Sequence, residues 1–241
     1  MKIKKYFQDA LRSVGYDLMS LSYSQDYVYD RHLKHVLQRW NISSVLDIGA
    51  NIGGYGKLLR SIGYKGGIHS FEPCSKPFDQ LAQAAVSDRL WRSHQIGLSD
   101  REGRVEINIM AGSELNSVLQ PRESSEKMSV VGTEVIQMFT LDALDLPVDW
   151  GKTFVKIDTQ GHDNAVISGG RIRLQQVPLI KTEVSFLPIY QGMSSFAETL
   201  NFLTEIGFDL LGMFPVSRDS SGRVVEFDCL CLNRVFAARN P

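Results

Sequence analysis

The segment that most constrains the fold of this chain is an apolar run followed by a turn crowded with glycines, at residues 45–56. The run Val-Leu-Asp-Ile at 45–48 predicts a short buried strand, and the apolar residues at 58, 59 and 62 have helical spacing. Four glycines lie in the turn between them, where the missing Cβ lets a ligand approach the backbone. Open α/β sheets hold adenine-containing ligands at such a strand, turn and helix. The segment therefore predicts an α/β fold with a ligand site at this turn.

The spacing within the turn separates two classes of ligand. A dinucleotide site favours G-x-G-x-x-G, which cradles a pyrophosphate on a helix N-terminus. Here the corresponding positions are Gly49, Asn51 and Gly54, so the middle glycine is missing. Asp47 precedes the first glycine, and a carboxylate suits a ligand with an ammonium group better than one with a pyrophosphate. The D-x-G-x-N-x-G pattern, which ends at Gly53, therefore favours S-adenosylmethionine, with a purely structural turn as the alternative.

A second acid lies at the end of the next predicted strand. Glu72 follows an apolar run and comes nineteen residues after Gly53. A carboxylate at this strand end accepts hydrogen bonds from the two ribose hydroxyls of an adenosine. Ser99 and Asp100 follow a third predicted strand, at 91–98, and are predicted to lie beside the adenine edge, with a plain turn as the alternative.

Two further acids lie at or near the ends of later strands. The apolar run at 154–157 ends on Asp158, and a helix is predicted at 163–174. Glu183 lies near the end of the following strand. Because the carboxyl ends of parallel strands open on the ligand crevice, both carboxyl groups are predicted to face it. The turn at 219–222 makes the last two strands antiparallel neighbours.

The remaining pattern predicts one domain with a helical segment before it. Residues 1–40 are predicted to form a helical N-terminal leader, and residues 41–241 a single α/β domain. The alternating apolar residues at 105–109 and 135–139 predict an inserted antiparallel pair of strands. The polar residues 111–129 between them predict a mobile loop that could close over a ligand.

Composition argues against several classes of function. The 241 residues carry a net charge of −1, so no general basic field favours nucleic-acid binding. The cysteines, Cys74, Cys229 and Cys231, include no C-x-x-C pair, which argues against a disulfide framework or a zinc knuckle and fits a cytoplasmic protein. No apolar run reaches the roughly 18–20 residues that span a membrane. An apolar helical face at residues 3–14 predicts packing on the domain, with weak membrane-surface contact as the alternative.

Several of these runs occur together, in the same order, in one known family. The chain resembles the FkbM-type S-adenosylmethionine-dependent methyltransferases over about residues 40–235. The matching runs are VLDIGANIGG at 45–54, SFEP at 70–73, GLSD at 97–100, KIDTQG at 156–161 and KTEVS at 181–185. The resemblance implies the class I methyltransferase (Rossmann-like) fold, with a mainly parallel seven-stranded sheet whose last strand is antiparallel. It also implies O-methylation, often of a sugar or natural-product hydroxyl.

The resemblance also assigns roles to individual residues. The residues that match the family's cofactor site are Asp47, Gly49, Asn51, Gly53, Glu72, Ser99 and Asp100. Asp158 and Glu183 match family acids near the site of methyl transfer. The chain departs from the common pattern at Gln160, where many members carry Glu, and at His162, where a hydrophobic residue is usual.

The predicted chemistry is methyl transfer to an acceptor oxygen. Such a displacement requires alignment of the oxygen and exclusion of water, and a general base near the hydroxyl proton contributes about 10²–10⁴-fold. Asp158 is the first candidate base, Glu183 the second and His162 the third, with substrate orientation or helix capping as alternative roles. Two acids could also hold a divalent cation, but nothing in their spacing demands a metal.

The acceptor is predicted to be a small molecule, a glycan, a glycolipid or a polyketide, and the sequence does not determine the oligomeric state. Two other classes of function remain as alternatives. An NAD-dependent oxidoreductase would use the same strand–turn–helix unit and Glu72, but Asp47 and Asn51 argue against it. A non-catalytic scaffold would keep the fold without binding the cofactor.

Overall fold

The structure, a computed structural model, describes residues 11, 13, 14, 24–122 and 126–239. Its strands are β1 (Ser44–Ile48), β2 (Gly67–Phe71), β3 (Trp91–His94), β4 (Gly97–Leu98), β5 (Gly103–Met110), β6 (Val130–Phe139), β7 (Thr153–Ile157), β8 (Leu179–Ser185), β9 (Phe208–Arg218) and β10 (Val224–Asn233). Its helices are α1 (Ser24–Arg39), α2 (Gly54–Ser61), α3 (Ser75–Ala85), α4 (Asp163–Ser168), α5 (Arg171–Leu174), α6 (Phe196–Glu205) and α7 (Arg234–Arg239).

Seven strands form one sheet in the order β3-β2-β1-β7-β8-β10-β9. The neighbours from β3 to β8 are parallel, and β10 runs antiparallel to both β8 and β9. The predicted class I methyltransferase fold, with its antiparallel last strand, is thereby confirmed. The order reverses between β1 and β7, and ligands of open α/β sheets bind at the carboxyl ends of the strands beside such a switch point.

The central strands are buried on both faces of the sheet. All five residues of β1 and all five of β7 are buried, and their side chains alternate between two hydrophobic clusters. Val45 and Phe154 pack on one face with α1, α2 and α3, whereas Leu46 and Val155 pack on the other with α4, α5 and α6. This burial on both faces explains why the parallel strands are nearly continuous apolar runs in the sequence.

The inserted strands form a second, smaller sheet. β5 and β6 pair antiparallel as predicted, and β4 joins β6 as a parallel third strand. The predicted strand at 91–98 is therefore wrong in extent, because β3 ends at His94 and belongs to the main sheet. The predicted helix at 163–174 is likewise divided into α4 and α5. At the break, a Cβ on Gly169 would overlap the carbonyl oxygen of Ser99, so the chain approaches too closely for any residue but glycine.

The described residues of the polar segment between β5 and β6 make regular backbone contacts, and the predicted mobility of the segment stays a prediction. The segment contains a 3₁₀ turn at Ser113–Leu115, and backbone bridges join Ser117 to Asn108 and Pro121 to Tyr190. The residues before position 123 are thus fastened to β5 and to the chain after β8. Residues 123–125 lie outside the described part of the chain.

Helix α1 belongs to the packed core. Leu33, Val36 and Leu37 are buried and contact the same cluster as Val45 and Leu59. The predicted boundary between a leader and a domain near residue 40 stays a prediction, and the apolar face at 3–14 lies almost wholly outside the described residues. Among the described residues, no helix is long and apolar enough to cross a membrane.

A buried histidine pair on β2 and β3 is expected to make stability depend on pH. His69 Nδ1 lies 3.1 Å from His94 Nε2, and burial, followed by the charges of His94 and Arg92, lowers the pKa of His69 to about 4. The unfolded chain, with an ordinary pKa of about 6.5, then binds more protons than the folded chain between those values. Stability is therefore complete above about pH 6.5 and decreases as the pH falls to about 4.

Thermal unfolding of wild type and His69→Gln across this pH range measures the effect. The melting temperature of wild type is expected to fall more steeply with acid than that of the variant. His35→Gln, on the exposed face of α1, is the control and should follow wild type. Parallel curves for wild type and His69→Gln would contradict the assignment.

Candidate functional site

The glycine-rich turn after β1 adopts the conformation that its sequence predicts. Gly49 and Gly53 have positive φ angles of +75° and +82°, and Asn51 has a φ of +45°, a region in which a Cβ is disfavoured. A Cβ on Gly49 would overlap the carbonyl oxygen of Asp158. The backbone N–H groups of Gly49 and Ala50 both donate to the carbonyl of Phe71, at 3.0 Å. The turn is therefore fixed against the ends of both β2 and β7.

Asp47 lies beneath this turn and not on its open side. Its side chain is fully buried, and Lys156 Nζ lies 2.9 Å from its Oδ1. Ser70 donates a hydrogen bond to its Oδ2 at 3.1 Å, and the same lysine donates to the carbonyl of Gly49 at 2.9 Å. Asp47 is not among the residues that line the two cavities described below. The carboxylate of Asp47 fixes Lys156 under the turn, and its direct contact with a ligand stays a prediction.

The ion pair belongs to a row of four charged side chains that crosses the sheet: Asp47, Lys156, Lys181 and Asp228. Asp47 is the register partner of Lys156, which is in turn the partner of Lys181. Lys181 Nζ lies 2.8 Å from Asp228 Oδ2. Burial alone lowers the pKa of Lys181, but the carboxylates of Asp228 and Asp158 raise it overall, so the lysine stays charged. We call these four residues the charged row.

Sequence reasoning did not assign three members of the charged row. The available signal was a lysine inside each of two otherwise apolar strands, Lys156 in β7 and Lys181 in β8. A lysine in a sheet that is covered on both faces has a buried ammonium group, which needs a carboxylate partner. The identity of each partner, however, depends on which strands become neighbours.

Glu72 follows β2 and faces the first cavity. Its Oε2 accepts a hydrogen bond from the Asn51 N–H, and its Oε1 accepts one from the Cys74 N–H, both at 2.9 Å. Burial raises the pKa of Glu72, and these two N–H groups offset the rise only in part. A carboxylate has about four lone-pair positions, so both oxygens keep acceptor capacity for a ligand.

The first cavity lies between the turn after β1 and the small sheet. It occupies about 580 Å³, including open solvent at its mouth. Its apolar wall consists of Ile48, Phe71, Ile96, Leu98, Ile107, Val118, Ile136 and Met138. Of the predicted cofactor residues, Gly49, Asn51 and Glu72 line it. Gly53 instead faces Leu81 and Trp91.

Ser99, Asp100 and His162 form a short hydrogen-bonded chain at one side of the first cavity. Ser99 Oγ lies 3.0 Å from Asp100 Oδ1 and 2.9 Å from His162 Nε2. His162 lines the first cavity, whereas Ser99 is buried behind it and Asp100 is exposed. Burial lowers the pKa of His162, against the opposing charge of Asp100, which favours the neutral imidazole. His162 was a candidate base, but it does not line the cavity that holds the two candidate acids.

The second cavity opens beside the first, over the carboxyl ends of β1, β7 and β8. The two cavities share Gly49, Asn51, Glu114, Asp158 and Gln160. The other polar and charged side chains of the second cavity are Tyr55, Lys156, Lys181, Glu183 and Glu226. Glu226 on β10 was not predicted, because only the antiparallel pairing of β10 with β8 brings it beside Ser185 and Glu183.

The two candidate acids are in opposite electrostatic environments. Burial raises the pKa of Asp158, but the ammonium groups of Lys156 and Lys181 outweigh it and lower the pKa overall. Burial, followed by the charges of Asp158 and Glu226, raises the pKa of Glu183 well above its usual range. The surroundings therefore favour the carboxylate form of Asp158, which can accept a proton, and the protonated form of Glu183, which can donate one. Pairs of carboxyl groups whose pKa values are shifted in opposite directions are typical of acid–base sites.

Within the described residues, no group of three or more His, Cys, Asp or Glu side chains has the geometry to hold a metal ion. The chemistry available at the junction of the two cavities is that of carboxyl, amide and ammonium groups. A ligand in the first cavity and a second ligand in the second cavity would meet at Asp158 and Gln160.

Comparison with known proteins gives a family and a curated relative. The family described as "Methyltransferase FkbM domain" matches residues 47–210. The chain is 27% identical over 207 residues to the 2-O-methyltransferase NoeI of Sinorhizobium fredii, with 78% of this chain and 79% of that protein covered.

Solved structures of methyltransferases are more distant. The magnesium protoporphyrin IX methyltransferase ChlM of Synechocystis PCC 6803 is 11% identical, with 96% of this chain and 95% of that chain covered and a TM-score of 0.48. The 1,6-didemethyltoxoflavin-N1-methyltransferase of Burkholderia thailandensis is 12% identical, with 85% and 77% covered and a TM-score of 0.48. The fold assignment of this chain rests on its own strand order.

Proposed function

The chain belongs to the FkbM methyltransferase family, and we propose that it methylates a hydroxyl group of a sugar, glycan, glycolipid or related natural product. As a member it is a methyltransferase whose cofactor is S-adenosylmethionine, so the alternative of an NAD-dependent oxidoreductase is set aside. The observation that carries the proposal is that the two cavities meet at Asp158. Glu183, whose pKa is raised, lines the second cavity. The name of the relative NoeI, a 2-O-methyltransferase, supports the choice of oxygen as acceptor.

The residues around the first cavity suit the adenosine part of the cofactor. The apolar wall provides a surface for a flat aromatic base, and the free lone pairs of Glu72 can accept hydrogen bonds from ribose hydroxyls. The absence of a side chain at Gly49 lets the turn pack directly against the carbonyl of Asp158, where the two cavities meet. Asp47 has an indirect role in this proposal, because it holds Lys156 and thereby the carbonyl of Gly49.

The second cavity suits a neutral acceptor rich in hydroxyl groups. When bound, the cofactor supplies a methyl group on a sulfonium, and the protein supplies alignment, a proton acceptor and exclusion of water. The carboxylate of Asp158 accepts the hydroxyl proton, while the protonated Glu183 donates a hydrogen bond to a neighbouring oxygen. A hydroxyl becomes strongly acidic as its oxygen forms a new bond to carbon, so a carboxylate of lowered pKa suffices as the base.

The affinity for S-adenosylmethionine is expected to depend on Glu72. Glu72→Ala should weaken binding of S-adenosylmethionine and of S-adenosylhomocysteine by about 1–3 kcal/mol, because the ribose hydroxyls lose charge-assisted acceptors. Titration calorimetry measures the effect, and Glu106→Ala, an exposed position on β5, is the control. Unchanged affinity in Glu72→Ala would remove Glu72 from the cofactor site.

Activity itself is tested by incubating the protein with S-adenosylmethionine and a panel of free sugars, glycans and glycolipids. Mass spectrometry should detect the gain of one methylene unit in a glycoside, and periodate sensitivity or fragmentation should locate it on an oxygen. Methylation of nitrogen or carbon acceptors only would contradict the proposal. Failure to bind S-adenosylmethionine would favour a non-catalytic scaffold of the same fold.

A further inference from the structure

Gln160 lies between the two candidate acids. Its side-chain Nε2 is 3.0 Å from Asp158 Oδ1 and 3.2 Å from Glu183 Oε2. An amide nitrogen carries two protons, so this one group can donate to both carboxyl groups at once. The backbone of Gln160 has a φ of +51°, a conformation that is uncommon for a residue with a side chain. The surrounding structure therefore holds Gln160 in place against a local preference.

Two side chains fasten Gln160 from the opposite side. The hydroxyl of Tyr190, which is fully buried, has one proton for two acceptors, the carbonyl oxygen of Leu115 at 2.8 Å and Gln160 Oε1 at 3.1 Å. Ser117 Oγ donates to the backbone carbonyl of Gln160 at 2.7 Å. Leu115 and Ser117 belong to the segment between β5 and β6 that borders both cavities. Gln160 thus connects this segment to the acid pair.

We propose that Gln160 is a positioning residue whose amide holds Asp158 and Glu183 in one arrangement, and that Tyr190 fixes the direction in which this amide faces. Because the carboxylate of Asp158 can only accept hydrogen bonds, the amide nitrogen faces Asp158 and the amide oxygen faces Tyr190. The catalytic role of Gln160 in this proposal rests on the proposed function. Its structural content, a hydrogen-bonded chain from Tyr190 through Gln160 to Asp158, can be tested without an acceptor.

The charge balance around the acid pair favours an amide over a carboxylate at position 160. The charged groups around the pair are Lys156 on β7, Lys181 on β8, Glu226 and Asp228 on β10, and Asp163 on α4. The two lysines already face Asp47 and Asp228 in the charged row. A further carboxylate at position 160 would add repulsion and remove both donors. An amide keeps Asp158 ionised, since a hydrogen bond to the charged form of an acid lowers its pKa.

The test is a titration of the Asp158 side chain, followed by NMR of ¹³C-carboxyl-labelled aspartate in the protein with S-adenosylhomocysteine added. Gln160→Met keeps the shape of the side chain and removes both donors, and it should raise the Asp158 midpoint by about one pH unit. Tyr190→Phe should raise it less. The double variant should match Gln160→Met, because Tyr190 acts through Gln160. Gln191→Ala, an exposed glutamine beside Tyr190, is the matched control and should titrate as wild type.

Two outcomes would overturn the proposal. An Asp158 midpoint that stays at the wild-type value in both single variants, even with a lower melting temperature, would leave these side chains a purely structural role. Additive shifts in the double variant would mean that Tyr190 acts on Asp158 directly. If Gln160→Met does not fold, Tyr190→Phe still decides between a shifted and an unshifted midpoint. Absence of methylated product would count against the proposed function but would not alter these titrations.

Discussion

Asp158→Asn is expected to lower the turnover of methyl transfer by roughly 10²-fold or more while the affinity for S-adenosylmethionine changes little. The substitution keeps the shape of the side chain and removes the proton acceptor. Asp158 lies where the two cavities meet, and Lys156 and Lys181 keep it ionised. Turnover at saturating cofactor, measured with the glycoside that the acceptor panel identifies, tests this expectation, and calorimetry measures cofactor affinity in parallel.

His162→Ala is the comparison variant for this experiment. His162 lines the first cavity and contacts Ser99, so its loss should weaken cofactor binding more than turnover at saturating cofactor. If the large loss of turnover appears in His162→Ala and not in Asp158→Asn, the base is His162. If both variants keep near-normal turnover, proton removal must be assigned to Glu183 or to water.

Lys156→Met is expected to destabilise the protein by about 3–5 kcal/mol, because it leaves the carboxylate of Asp47 buried without a counter-ion. The lysine and the aspartate have side-chain exposures of 5% and 0%, so water cannot replace the lost partner. The same substitution removes the hydrogen bond to the carbonyl of Gly49, and cofactor affinity should fall as well. Urea denaturation measures the free energy of unfolding.

Lys152→Met, at the residue just before β7, provides a matched control. Its partner Asp149 lies 3.5 Å away, and both side chains are more than half exposed, so the expected change is within about 0.5 kcal/mol. The double variant Lys156→Met, Asp47→Leu should recover part of the lost stability, because no charge is then left unpaired. Equal stability of Lys156→Met and Lys152→Met would contradict a structural role for the charged row.

The predicted elements that were confirmed are those whose signal is local. β1 and β7 are the short, mainly apolar runs that the sequence indicates, and every residue of both is buried. The turn at 219–222 folds the last two strands back on each other as predicted. Each of these follows from side-chain periodicity or turn chemistry within a few residues. The mainly parallel seven-stranded sheet with an antiparallel last strand was implied by the family resemblance, and the structure supplies the strand order.

The elements whose extent was wrong are those that depend on a distant contact. The strand predicted at 91–98 is interrupted because Gly97 and Leu98 pair with β6, more than thirty residues further along the chain. The helix predicted at 163–174 breaks where Gly169 meets the carbonyl of Ser99. The pair Gly169 and Gly170 is a local signal for the helix break, whereas Gln95 and Ile96, at the strand break, carry no turn signal.

By itself, the sequence determined the ligand turn, the acid at the end of β2 and the acid at the end of β7, because a glycine pattern or a strand terminus identifies each of them. Only the tertiary structure decided which charges are paired. Asp47 has the residue type of a ligand contact, but the register of β1 with β7 places Lys156 beside it and buries both. The opposite pKa shifts of Asp158 and Glu183 likewise arise from burial together with neighbours on other strands, the lysines Lys156 and Lys181 for Asp158 and the acid Glu226 for Glu183. Electrostatic interactions depend on distance in space and on burial, and strand pairing sets both.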